Sequence, residues 1–183
     1  AALFLSLFLG VLLFFQKELS KFLFLALLTF LSQPFLLGVP APRAPPRSGS
    51  DLLLLLDGSG SMWGQVDGVA KITTAKQALT GLISDLSGKT NVGLIAYGHR
   101  REGDCNDIET LLPVANHAPA AIEAAIGGIS PRGKTPIART LEAAARAFPD
   151  ADRQANVLLI SDGLETCGGD PCAAARALAE QGI

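Results

Sequence analysis

Hydrophobic and polar positions change rhythm three times along the chain. Up to residue 39 apolar side chains crowd onto every face. Leu3 to Phe15 is apolar, Gln16-Lys17-Glu18-Leu19-Ser20-Lys21 interrupts, and a second run extends from Phe22 to Val39, broken by Gln33 and Pro34. A buried core helix would be apolar on one side only, so these runs predict export or anchoring. Lys21 ahead of Phe22–Leu31 reads as the charged and hydrophobic parts of an export signal, and the second run is long enough to span a bilayer with some tilt. Lys17 and Lys21 favour an outside location for the residues beyond the second run, a bias that Arg43 and Arg47 weaken. The chain opens on Ala1 and is apolar at once, which leads us to expect a sequence incomplete at its N-terminus.

The rhythm changes at Pro40-Ala41-Pro42-Arg43-Ala44-Pro45-Pro46-Arg47-Ser48-Gly49-Ser50, where proline density excludes a helix or central strand and predicts a stiff linker over 40–50. From residue 51 short apolar runs alternate with amphipathic stretches. Asp51 to Leu56 is a continuous apolar run closed by Asp57-Gly58-Ser59-Gly60-Ser61. Its brevity and the glycines after it predict a strand buried on both faces. Ile72, Ala75, Leu79, Leu82, Ile83 and Leu86 recur at helical spacing over 71–86, with Gly88 as the stop. Asn91 to Tyr97 predicts a second buried strand, Ile108 to Val114 a third and Asn156 to Ser161 a fourth, closed by Asp162-Gly163. Pro119 opens an Ala-rich helix to about Ile126. Pro136 suits the first position of a helix that runs from Ile137 to Phe148 and stops before Pro149. Asp170 caps a last helix running from Pro171 to Gln181, with Gly182 at its end.

Strands alternating with helices argue for an α/β fold, doubly wound around a mainly parallel sheet. Ligands of such sheets sit beyond the carboxyl ends of the strands, which is where Asp57 and Asp162 fall. The chain has 183 residues, 49% hydrophobic and 17% charged, with a formal net charge of -2. That length suits one domain with an appendage, and the balance offers no basic footprint, which argues against nucleic acid as a partner.

Hard divalent cations seek several oxygen ligands, and magnesium keeps some of its water. Asp57, Ser59 and Ser61 supply a carboxylate and two hydroxyls on a glycine-rich loop that lets side chains two apart converge. Thr135, in Gly133-Lys134-Thr135-Pro136, adds a hydroxyl, and Asp162 a second carboxylate. Either segment alone is accounted for by turn and capping roles, but the full constellation is not. It resembles the metal-ion-dependent adhesion site of the von Willebrand factor A (vWA) family: an Asp-x-Ser-x-Ser motif, a separate Thr, and an Asp-Gly after a later strand, in that order. The likeness covers essentially all of 51–183. It implies Mg2+ (or Mn2+) held by Ser59, Ser61 and Thr135, with Asp57 and Asp162 direct or through water. It also implies an open position taken by an acidic side chain of a protein partner. The stretches 57–64, 97–100 and 161–167 look like bacterial exported vWA proteins, implying a site that faces the periplasm, the cell surface or the outer side of a membrane.

Enzyme readings fit less well. Gly58-Ser59-Gly60 does not have the spacing of a nucleophilic serine, and neither His99 nor His117 has an evident triad role. A metal-assisted hydrolase lacks an evident general base, so the expectation is a binding module and not an enzyme. The alternative is an accessory subunit of a larger machine, chelatase-like or ATPase-associated. It would need another protein, since the chain has no phosphate-binding loop.

Cys105, Cys167 and Cys172 are the cysteines. In an oxidising compartment a Cys167–Cys172 disulfide is expected to stiffen the rim of the site, with Cys105 as the alternative partner. A full vWA domain resembles a six-stranded sheet, whereas four strands are legible before Ile183. The expectation is a domain truncated at its C-terminus, with the fourth strand at an exposed, aggregation-prone edge.

Overall fold

The computed structural model of the chain describes residues 49–86, 90–148 and 154–183. The apolar region 1–39, the linker up to residue 48, Gly88 and Pro149 lie outside the described residues. Among the described residues, no helix is long and apolar enough to cross a membrane.

The strands β1 (Ser50–Asp57), β4 (Thr90–Tyr97), β5 (Ile108–Ala115) and β6 (Gln154–Ile160) form one sheet in the order β5-β4-β1-β6. β1 pairs in parallel with both β4 and β6, while β5 is antiparallel to β4. The central place of β1 explains its unbroken leucines. Leu54 and Leu56 face one core with Ile72, Leu79 and Ile83 of α1 (Lys71–Asp85) and Ile122 and Ile126 of α2 (Pro119–Gly127). Leu53 and Leu55 face another, with Ile137 and Leu141 of α3 (Ile137–Ala144) and Leu178 of α4 (Pro171–Glu180). All four leucines have no exposed surface, and burying each contributes about 1.5–3 kcal/mol. The result is the three-layered, mainly parallel α/β arrangement that the sequence predicts.

Among the described residues β6 has a neighbour on one side only and stands at an edge of the sheet, and its Leu158 is 38% exposed. At the other end of the strands the registers bring Asp57 level with Tyr97, and Leu56 level with Ile160. Three strands thus end in one row, and their following loops share one rim.

Three details depart from the sequence reading. α3 ends at Ala144 and not Phe148, because the chain tightens there, with the Arg146 and Ala147 amides reaching back to the carbonyls of Ala143 and Ala144. Pro136 stands one residue before the helix, where its carbonyl accepts from the Thr140 amide at 3.0 Å and the Thr140 hydroxyl at 2.8 Å. A hairpin, β2 (Gln65–Val66) and β3 (Val69–Ala70), is an addition to the predicted elements. Asp67 and Gly68 both take positive φ at its turn, 52° and 81°, the twist that suits a two-residue connection.

Candidate functional site

Asp57 ends β1 with no exposed surface. One oxygen, Oδ1, accepts from the Ser59 amide at 2.7 Å, and the other accepts from the Ser161 hydroxyl at 2.5 Å. The loop turns sharply at Gly58, whose amide donates to the Tyr97 carbonyl at 2.8 Å. A Cβ at that position would lie 2.6 Å from the Cβ of His99, so only glycine fits there.

From Ser59 a chain of oxygens crosses the rim. The Ser59 and Ser61 hydroxyls are 3.0 Å apart, and Ser61 donates to Asp162 Oδ1 at 2.8 Å. A hydroxyl has one proton. Since Ser61 gives its proton to Asp162, Ser59 is the donor in the first contact. Asp162 Oδ2 is held by the ammonium of Lys71, the first residue of α1, at 2.6 Å. Burial works to raise the Asp162 carboxyl, but the hydrogen bonds from Lys71 and Ser61 outweigh it and hold the group below the ordinary carboxylate range.

Thr135 arrives by a separate route. Segment 133–135 lies against the first loop, with Gly60 donating to the Gly133 carbonyl at 3.0 Å and Gly133 donating to the Gly98 carbonyl at 2.6 Å. The Thr135 amide donates to the Thr166 hydroxyl at 2.8 Å and its carbonyl accepts from the Thr166 amide at 3.1 Å. Thr135 is therefore buried between the loops that carry Ser59 and Asp162. Its hydroxyl takes no part in the Ser59–Ser61–Asp162 chain among the described residues. Four of the five anticipated residues are joined by hydrogen bonds directly or through one intermediary, and the fifth is tied in by its backbone.

Several participants lie outside the sequence motif. Ser161 binds Asp57, and Lys71 binds Asp162. The Tyr97 hydroxyl is buried beside Asp57 and Ser161, without a partner in good hydrogen-bonding geometry among the described residues. Burial first, and then the Asp57 charge, push this phenol well above its usual range. Glu165 accepts from the Ala138 amide at 2.9 Å and the Cys167 amide at 2.6 Å, so it fastens the Asp162 loop to the first turn of α3. An acidic residue at a helix start is a legible signal, but Glu165 is 27 residues distant from Ala138 in sequence.

The histidines are engaged away from the serines. His99 Nε2 lies 3.0 Å from Glu109 Oε2, and His117 Nε2 lies 2.8 Å from the Pro113 carbonyl. Among the described residues neither hydrogen-bonds Ser59 or Ser61.

The expected Cys167–Cys172 disulfide is incorrect. Cys105 pairs with Cys167, and Cys172 is a free, exposed thiol. Gly168 takes φ +77°, and Cys172 is carried off in the first turn of α4, which Asp170 caps by accepting from the Ala173 amide at 3.0 Å. Arg139 on α3 meanwhile reaches the Cys105 carbonyl at 3.3 Å and Asn106 Oδ1 at 2.7 Å, drawing the 99–107 loop to this side of the site.

Comparison with known proteins agrees with this arrangement. The von Willebrand factor type A domain family matches residues 52–165. The uncharacterized protein YwmD of Bacillus subtilis (strain 168) is 33% identical over 143 residues, covering 73% of this chain and 64% of its own length. The chain therefore spans less than two thirds of that relative. Among solved structures, proximal thread matrix protein 1 from the mussel byssus, with a zinc-occupied metal-ion-dependent adhesion site, superposes with a TM-score of 0.60 at 20% identity. That match covers 74% of this chain and 34% of the mussel protein. The vWF domain of the type V pili tip protein Mfa5 from Porphyromonas gingivalis superposes at 0.53 and 19% identity, over 64% of this chain and 38% of that one. At these identities the structures speak for the fold, and the family match speaks for descent: the chain belongs to the von Willebrand factor type A domain family.

Proposed function

We propose that the domain is a divalent-metal-dependent binding module in which Asp57, Ser59, Ser61, Thr135 and Asp162 hold Mg2+ or Mn2+. The open coordination position would then take an acidic side chain of a protein partner. The single observation that carries this reading is the chain from Ser59 through Ser61 to Asp162, with Asp57 anchored beneath it. Every donor is an oxygen, two of them carboxylates, which is the chemistry of a hard cation. The mussel protein with zinc at its adhesion site supports a metal in this family's rim, and the pilus tip protein supports a protein partner. In our reading the module binds and does not catalyse. We further propose that it works outside the cytoplasm, anchored or exported by the apolar region 1–39. The Cys105–Cys167 disulfide supports this, since such bonds persist in oxidising spaces.

Calorimetric titration with MgCl2 or MnCl2 tests the site. Asp57→Ala should weaken binding by at least about tenfold, since a hydroxyl-rich site depends on its few carboxylates. Equal affinity in a folded variant would refute the assignment. Capture of envelope proteins with and without chelator then tests the partner, which should be released when the metal is removed.

A further inference from the structure

We infer that Lys71 is a built-in competitor of the divalent ion: its ammonium and the metal draw on the same Asp162 carboxylate, so Lys71 weakens metal binding until a partner adds negative charge. This rests on the proposed metal site and deepens it.

The placement of Lys71 is unfavourable by itself. It is the first residue of α1, whose N-terminus has no acidic residue in its first turn and no capping side chain. A helix N-terminus carries partial positive charge and repels cations. The hairpin β2–β3 and the Lys71 amide, which donates to the Gly64 carbonyl at 2.9 Å, nonetheless fix the residue there. The compensation is the 2.6 Å ion pair with Asp162, a carboxylate only 9% exposed. Asp162 Oδ1 belongs to the Ser59–Ser61 side and Oδ2 to Lys71. An ion seated on the serine oxygens therefore lies across one carboxylate from a fixed positive charge. At a few ångström, even with nearly aqueous screening, a doubly charged ion and an ammonium repel by enough to change affinity by roughly tenfold or more. An acidic group from a partner offsets that repulsion, so metal and partner bind cooperatively.

Lys71→Met keeps the stem and removes the charge. Titrated with MnCl2, the folded variant should bind roughly tenfold more tightly than wild type. It should also show a larger rise in melting temperature on adding the ion. Equal or weaker binding by folded Lys71→Met overturns the inference while leaving the metal site standing. No binding by either protein overturns both. A second measurement needs no variant: with Mn2+ present, labelling of Lys71 by an amine-reactive reagent should rise several-fold relative to Lys76, whose ammonium donates to the Gly127 carbonyl at 2.8 Å and not to Asp162. Unchanged labelling at saturating Mn2+ would also overturn the competition.

Discussion

Asp107, fully buried in the loop beside the site, shows what a single carboxylate does in this fold. It accepts from the Arg100 amide at 2.7 Å, the Arg101 amide at 2.9 Å and Arg100 Nε at 2.7 Å. Burial raises its carboxyl, yet these donors outweigh burial and hold it below the ordinary range. A folded value below the unfolded one, which is about 3.9, fixes the sign. The stabilisation is complete above that pH and is lost as pH falls through the lower folded value. Asp107→Asn should cost about 1–3 kcal/mol at neutral pH, because an amide cannot accept from all three donors. Urea denaturation at pH 7 and near pH 3 checks this, and the difference between the two proteins should shrink in acid. At this scale the sequence is legible where residues act in short motifs, as at Asp57, Ser59 and Ser61. It is silent on Lys71 and Tyr97, whose roles come from partners across the sheet. Lys71 lies 91 residues from Asp162, and only the register of β1 with β4 brings Tyr97 to Asp57.

Elements are legible where burial dictates a pattern. The leucines of β1 and the helical spacing over α1 leave little choice, and both agree with the structure within one residue at each end. The hairpin β2–β3 escapes such a pattern because the pair is too short to bury anything, although Asp67-Gly68 between two valines is a strong turn signal. The disulfide misleads for the opposite reason. Closeness in sequence favours Cys172, while Arg139 and the α4 cap favour a partner 62 residues away. That distance gives the bond leverage, since it removes freedom from a long unfolded loop. Reduction, or Cys105→Ser, should cost roughly 2–4 kcal/mol. Thermal melts with and without reductant check the size, and mapping of non-reduced peptides should find Cys172 as the alkylatable thiol.

For the molecule as a whole, the sequence suffices for the three layers and for the rim on which the candidate residues meet. What it does not supply is how the loops interlock: the wedge of 133–135 between the other two, Glu165 bridging to α3, and the disulfide across the 99–107 loop. These depend on backbone hydrogen bonds between distant segments, which no periodicity records. Among the described residues β6 pairs with β1 alone, and its Leu158 is partly exposed.

The contact between Ser61 and Asp162 spans 101 positions of the chain, with β4, β5, three helices and most of both cores encoded between them. A cation held at this rim as proposed would find only Asp57, Ser59 and Ser61 close together in the unfolded polypeptide, with Thr135 and Asp162 far along the chain. It would meet its full ligand set only once β6 has docked on β1, a non-local pairing of the kind that forms late. Saturating Mn2+ should accordingly slow unfolding in stopped-flow denaturation and leave the refolding rate constant nearly unchanged. On that reading the capacity to hold an ion would be complete only at the closing step of the domain's own assembly.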